Sequence, residues 1–271
     1  MSTLTGIYPN MSEQDYHARP ELSSTGARSL LRVAAKFDYD RTHSVHKDVF
    51  DLGSAVHTKV LGKGWKVDVH DFDNWTTKAA KEAKAASRAC GRIPMLAKDY
   101  AVVEAMAESV LNDPRARRIF EAGGQVEASM FAADPETGVP MRARPDLMAP
   151  GRMVDLKTAN DASDDGFARS AAEFGYQAQE WWYRRVRQIV TGEPDADFLF
   201  VVVEKSPPYL VNVIELDGLF AEIGRSQVDR ALRLYAECSA SGVWPGYGRS
   251  DGQPNLVGPP AWLVYSEGME F

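Results

Sequence analysis

Cysteine is scarce in this chain: only Cys90 and Cys238 occur in 271 residues. They stand far apart in helix-like surroundings, so no disulfide framework is expected, and a cysteine-ligated iron–sulfur cluster lacks ligands. That pattern points to a reducing cytoplasm. No apolar run approaches the roughly 20 residues that span a bilayer, so no membrane segment is expected. The opening residues, Met1 to Pro9, have no basic start followed by an apolar block, and no secretory signal is expected. Positive charge is also short, with 31 Lys and Arg against 38 Asp and Glu and a net charge of −7. This excludes indiscriminate polyanion binding by the whole surface but leaves room for a local basic channel. Internal repeats, a phosphate-cradling glycine-rich loop and low-complexity segments are all missing.

What is present is ordinary globular composition, 44% apolar and 25% charged. The length suits one domain over 1–271: a mainly helical part to 120, a core over 121–241 and an irregular tail over 242–271. Ser23 or Ser24 can cap a helix over Thr25 to Ala35, and residues 36–48, with His43 and His46, read as a solvated loop. Further helices are expected over Val49–Leu61, Thr76–Arg88, Leu96–Leu111 and Arg115–Glu121, with an edge strand near 65–75. The run 126–131, a turn at Asp134 to Gly138, the strand Met141–Met148 and the strand Arg152–Thr158 read as an antiparallel meander. Helices Ser163–Phe174 and from Tyr176 to Val190 follow. A covered strand Asp197–Glu204, a pairing strand Tyr209–Leu216 and a helix from Asp217 to Ala240 complete the order. Leu219, Ile223, Val228, Leu232 and Tyr235 are its expected inward face. The order predicts an α/β fold: a mixed central sheet flanked by helices, with a helical N-terminal extension.

The chemistry concentrates in residues 142–160. Val154 and Leu156 alternate with Asp155 and Lys157, so the acid and the amine project from one strand face. Asp146 ends the preceding strand, where an antiparallel neighbour brings it towards Asp155. Two carboxylates and an ammonium on one face are costly unless a divalent ion offsets the charge. Spacing alone equally allows a solvated Asp–Lys pair. Glu127 reads either as a further acid on that face or as an exposed strand residue. His57, in mid-helix, is a ligand only if its helix packs beside the acids. Tyr176, Gln179 and Tyr183 share a helix face, suited to holding a base or phosphate or to forming a buried stripe.

Pro145-Asp146 and Asp155-Leu-Lys157, in order with Leu22-Ser-Ser-Thr-Gly, Gly53-Ser-Ala-Val-His57 and Tyr176-x-x-Gln179-x-x-x-Tyr183, resemble the PD-(D/E)xK nucleases. The closer resemblance is to phage exonucleases of the exonuclease VIII (RecE) type, related to RecB nuclease domains. It covers roughly residues 16–215 and implies a restriction-endonuclease-like fold. It further implies Mg²⁺ or Mn²⁺ held by Asp146, Asp155, His57 and the Leu156 carbonyl, with no iron–sulfur cluster. Lys157 would act on the attacking water, Glu127 would add an acid, and Gln179, Tyr183 and Tyr176 would position the DNA strand. The implied activity is digestion of double-stranded DNA from its ends, 5′ to 3′, leaving single-stranded tails for an annealing protein in recombination, in a homo-oligomer. A structure-specific endonuclease, a non-catalytic DNA- or partner-binding module and a small-molecule metallohydrolase are the alternatives.

Overall fold

The computed structural model describes residues 3–43, 51–193, 196–248 and 252–266. Its N-terminal part opens with strand β1 (Gly6–Tyr8), helix α1 (Glu13–His17) and strand β2 (Leu22–Ser23). Helix α2 (Ser24–Arg32) starts where the Ser23 hydroxyl accepts the Gly26 N–H at 3.1 Å, the usual N-cap contact. Val33 adopts an extended backbone and ends it, so the expected single helix to Ala35 divides. Helix α3 (Ala34–Asp40) occupies part of the expected loop, and His43 stacks on Tyr39 at 4.0 Å. His46 and the first residues of the expected helix from Val49 lie outside the described residues.

Helix α4 (Asp51–Leu61) leads to strand β3 (Val67–His70), which pairs in parallel with β4 (Ile93–Leu96) across helix α5 (Lys78–Ala89). Helix α6 (Ala97–Asn112) follows, and Asp113 caps α7 (Pro114–Glu121) by accepting from Arg115 and Ala116. The core strands are β5 (Gln125–Val126), β6 (Ser129–Ala133), β7 (Pro140–Ala143), β8 (Leu147–Ala149) and β9 (Arg152–Ala159). Helices α8 (Asp164–Phe174) and α9 (Tyr176–Thr191) cross over to β10 (Asp197–Glu204), parallel to β9, and β11 (Val211–Ile214) pairs antiparallel beside it. Helix α10 (Gly218–Ser241) and a short α11 (Ala261–Ser266) end the described chain.

The expected meander is not one sheet. Strand β6 pairs with β7 in a four-stranded sheet ordered β1-β6-β7-β2, whereas β5 pairs with β8 in a five-stranded sheet ordered β11-β10-β9-β8-β5. Both arms of the hairpin therefore change sheet at the same level. On one arm Glu127 takes a φ of +50°, the left-handed region that non-glycine residues rarely enter. On the other, Arg144-Pro145-Asp146 interrupts the strand, and Pro145 has no N–H to give a ladder. A single backbone bond, Glu127 N–H to the Asp146 carbonyl at 3.0 Å, spans the bend.

The larger sheet is covered on both faces. Met153, Phe198, Phe200 and Val202 pack with Phe167, Trp182 and Leu232 on the α8–α9–α10 side. Val154, Leu156, Val201 and Val203 pack with Val56, Val103 and Met106 on the α4–α6 side. Burying a side chain of this kind contributes about 1.5–3 kcal/mol, so the doubly covered strands anchor the fold. Leu219 and Ile223, expected inward, are 65% and 42% exposed. Helix α10 lies along α9, joined by Gln177 to Gln227 and by Arg185 to Asp229, and comes closest at Gly224, where a β-carbon would lie 2.3 Å from the Gln177 carbonyl oxygen.

Candidate active site

The bend and the doubly covered strand deliver the acids to one place. Strand β8 runs antiparallel to β9 with Leu147 opposite Val154. One step further along that register, at the bend, Asp146 faces the level of Asp155. The Asp146 side chain replaces the missing strand: Oδ2 accepts the Leu156 N–H at 2.5 Å. A strand residue's N–H and C=O leave on the same side, so the Leu156 carbonyl faces the same opening. Asp155 and Lys157 follow the parity of Met153 and point to the α9 side.

His57 arrives from α4. Gly53, one turn earlier, leaves only Thr158 Oγ1 near its missing β-carbon, at 3.7 Å, which seats the helix against the end of β9. His57 Nδ1 lies 2.7 Å from the Gly53 carbonyl. A carbonyl only accepts, so Nδ1 carries a proton and Nε2 is the atom that faces Asp146 Oδ2, at 3.1 Å. Burial, the largest single influence, disfavours the imidazolium, but the charge and hydrogen bond of Asp146, the Gly53 carbonyl and the Asp155 charge together outweigh it and raise His57 to about 9. Burial likewise works against an ionised Asp146, yet His57 and the Leu156 N–H hold that carboxyl below its usual range. Asp155 is pushed up, first by burial, against the pull of Lys157 and with the Asp146 charge adding to the rise. Two neighbouring acids with pKa values pushed apart form a charge-sensitive pair.

Helix α9 completes the far wall. Gly175, with a φ of +71°, ends α8 and lets α9 start at once, and Arg28 packs where its side chain would be. Gln179 donates from Nε2 to Asp155 Oδ1 at 2.6 Å and accepts from Lys157 Nζ at 2.9 Å. Lys157 Nζ also lies 2.6 Å from Asp155 Oδ2 and 4.6 Å from the centre of the Tyr176 ring. Although that ion pair is short, Asp155 Oδ2 receives no hydrogen bond of acceptable angle among the described residues.

His57, Asp146, Asp155, Lys157, Gln179 and Tyr176 thus come together. Glu127 stands at the bend beside the Asp146 backbone, half-buried, its carboxyl raised by burial and then by the Glu13 and Asp146 charges. Gln179 and Tyr183, expected along a DNA strand, are 5% and 8% exposed. Gln179 is occupied by Asp155 and Lys157, and Tyr183 packs edge-on to Phe198 at 6.0 Å. Of the three, Tyr176 is the least buried: it is half-buried, its ring packed beside Phe167, Phe174 and Phe200. Sequence reading missed Arg28, whose charge interacts with Asp155 and which donates to the Phe174 carbonyl at 2.5 Å; no spacing rule marked it.

Among the described residues no three His, Cys, Asp or Glu side chains stand as a ready cage for an ion. The donor set nevertheless fits a hard divalent cation: two carboxylates, a strand carbonyl and an imidazole whose protonated Nδ1 leaves Nε2 as the ligand atom. Asp155 Oδ2, buried and poorly satisfied, is the oxygen that such an ion would complete.

A family model described as a PDDEXK-like domain of unknown function (DUF3799) matches residues 23–252. No curated protein is significantly similar in sequence. A candidate exonuclease from Eubacterium rectale, of known crystal structure, is 15% identical over 96% of this chain and 99% of its own, with a TM-score of 0.60. At that identity the likeness shows a shared fold. The structure of LHK-Exo in complex with dAMP is 15% identical over 85% of this chain and 96% of its own, with a TM-score of 0.32. LHK-Exo is an alkaline exonuclease from Laribacter hongkongensis.

Proposed function

Because the chain belongs to the DUF3799 family of PDDEXK-like domains, we propose that it is a divalent-metal-dependent deoxyribonuclease that degrades double-stranded DNA from its ends. The observation that carries this reading is the convergence of His57, Asp146, Asp155 and Lys157, distant in sequence, at the bend between two sheets. Asp146, Asp155, His57 Nε2 and the Leu156 carbonyl would hold Mg²⁺ or Mn²⁺. A cation bound there supplies a more acidic water and positive charge at the scissile phosphate.

The chain's own residues do the rest. The Gly53 carbonyl fixes the His57 tautomer and ring direction. Gln179 holds the Asp155 carboxylate and the Lys157 ammonium in register, so the amine is aimed before substrate arrives. Lys157 orients the attacking water and offsets charge building on the phosphate. Glu127 adds negative potential at the bend, and the half-buried ring of Tyr176 would meet the strand at its exposed edge. Digestion runs 5′ to 3′, leaves a single-stranded tail for an annealing protein, and is carried out by a homo-oligomer; these finer features follow the resemblance to RecE-type exonucleases.

The test is digestion of end-labelled linear duplex and of closed circular duplex with Mg²⁺ or Mn²⁺. The linear form is consumed from its ends, EDTA stops the reaction, and Asp155→Ala and Lys157→Ala are inactive while folded. Cutting of closed circles would replace the end-trimming reading with a structure-specific endonuclease. Full activity in either variant would remove the proposed site.

A further inference from the structure

Three cations stitch the N-terminal segment onto the sheet-changing bend. Lys63, just beyond the helix that carries His57, donates to the Pro9 carbonyl and to the Val126 carbonyl, both at 2.8 Å; Val126 immediately precedes Glu127. Arg144, 8% exposed and two residues before Asp146, donates to the carbonyls of Met11 at 3.0 Å and Ser12 at 3.2 Å, and to Glu13 Oε2 at 2.5 Å. It also reaches Ser129 Oγ on the other arm, at 2.9 Å from Nε and 2.6 Å from Nη2. Glu13 Oε1 is taken by His17 at 2.8 Å. Arg142 donates to the Tyr16 carbonyl, and the buried Tyr16 ring lies 4.9 Å from the Arg142 guanidinium and 4.3 Å from that of Arg144.

These contacts fall where regular pairing is weakest. Between Ala143 and Leu147, and between Val126 and Ser129, the ladder passes from one sheet to the other. One backbone bond crosses the gap. The direction in which Asp146 leaves the chain therefore depends on what grips its neighbours from outside. A buried guanidinium is tolerated only when its donors are met, and Arg144 has partners on both arms and on the N-terminal segment.

We propose that residues 9–16 form a clasp that positions Asp146 and Glu127, with the Arg144–Glu13 pair as its fastening. This rests on reading Asp146 as a metal ligand of a nuclease. Arg144 and Glu13 are positioning residues: they act through the bend and touch neither the ion nor DNA. A displacement of about 1 Å at a reacting group costs on the order of 10²-fold in rate, so a loosened clasp lowers turnover and metal affinity without altering DNA affinity.

The experiment uses the full chain and the variants Arg144→Gln, Glu13→Gln and the pair together. Mn²⁺ binding is measured by calorimetry, kcat and KM on end-labelled duplex, and folding by thermal melting. Each single change is expected to weaken Mn²⁺ binding and lower kcat about tenfold or more, with KM little changed. The double variant is expected to be no worse than the poorer single one, because the two side chains form one contact. Should Arg144→Gln fail to fold, Glu13→Gln still decides, since it removes one charge and keeps the shape. Variants that melt lower yet bind Mn²⁺ and cut like the wild type would reduce the clasp to a brace and overturn the proposal. A wild type that binds Mn²⁺ but cuts no DNA would sink the nuclease reading alone, and Mn²⁺ affinity would still judge the clasp. A wild type that binds no Mn²⁺ would remove both.

Discussion

Gln179→Leu separates positioning of the catalytic groups from contact with DNA. The substitution keeps the volume of a side chain that is 5% exposed and deletes its bonds to Asp155 Oδ1 and Lys157 Nζ. Asp155, 4% exposed, retains Lys157 on its other oxygen but loses a charge-assisted donor. Hydrogen bonds to charged groups are worth about 1.5–3 kcal/mol, so the variant should lose about 2 kcal/mol of stability. For a chain of this size that corresponds to a fall in Tm of about 4–8 °C. With Lys157 no longer tied to Gln179, the amine samples several rotamers, and kcat should drop on the order of 10²-fold. KM for the duplex should stay within about twofold, because a buried side chain committed to protein partners has nothing left for a nucleotide. Thermal melts and initial rates over a range of DNA concentrations measure all three. A raised KM with unchanged kcat would refute this reasoning and return Gln179 to the DNA-contact role that its spacing suggested.

Gly224→Ala should destabilise by about 1–3 kcal/mol or more, since its β-carbon would sit 2.3 Å from the Gln177 carbonyl oxygen of a packed helix; an unchanged urea midpoint would argue against the close crossing. Asp134 is buried and bonded by Thr137 and Arg185, and these partners hold its carboxyl below the usual range despite burial. A depressed folded pKa gives stability that is present above the unfolded value, about 3.9, and is lost as pH falls through the folded one. Asp134→Asn should therefore be less stable than the wild type at pH 7, and urea melts should show that difference shrinking in acid; a constant gap would count against the pairing. Lys157→Ala should leave Tm within a few degrees of the wild type and cut end-labelled duplex at least about 10³-fold more slowly, and comparable rates would remove the amine from the chemistry.

Most elements were legible in local sequence because their signals are local. Ser23, Thr77, Asp113, Ser163 and Asp217 each cap a helix, and Gly175 and Gly242 end one in the left-handed conformation. The alternation of Val154 and Leu156 with Asp155 and Lys157 placed the acid and amine on one side of β9. What stayed hidden depends on distant partners. Pro145 marks a break in one arm, but nothing within residues 126–148 tells that the two halves join different sheets, because that choice is made by β1 and β2 on one side and β9 on the other. Spacing put Gln179 and Tyr183 on one face with Tyr176 but did not reveal that the first two face inward. Leu219 and Ile223 have core-like apolar spacing, but spacing does not tell which turns of α10 lie against α9, and the close approach at Gly224 depends on a missing side chain that has no periodic signature. Arg144 and Glu13 meet across a separation of 131 residues that no local pattern encodes.

Anomalous diffraction from crystals soaked in Mn²⁺ tests the central claim most directly. The account predicts a single strong peak between the Asp146 and Asp155 carboxylates, with His57 Nε2 as a further ligand and Lys157 Nζ displaced from Asp155 Oδ2. No peak there, or one elsewhere with the Lys157–Asp155 pair still closed, would contradict it.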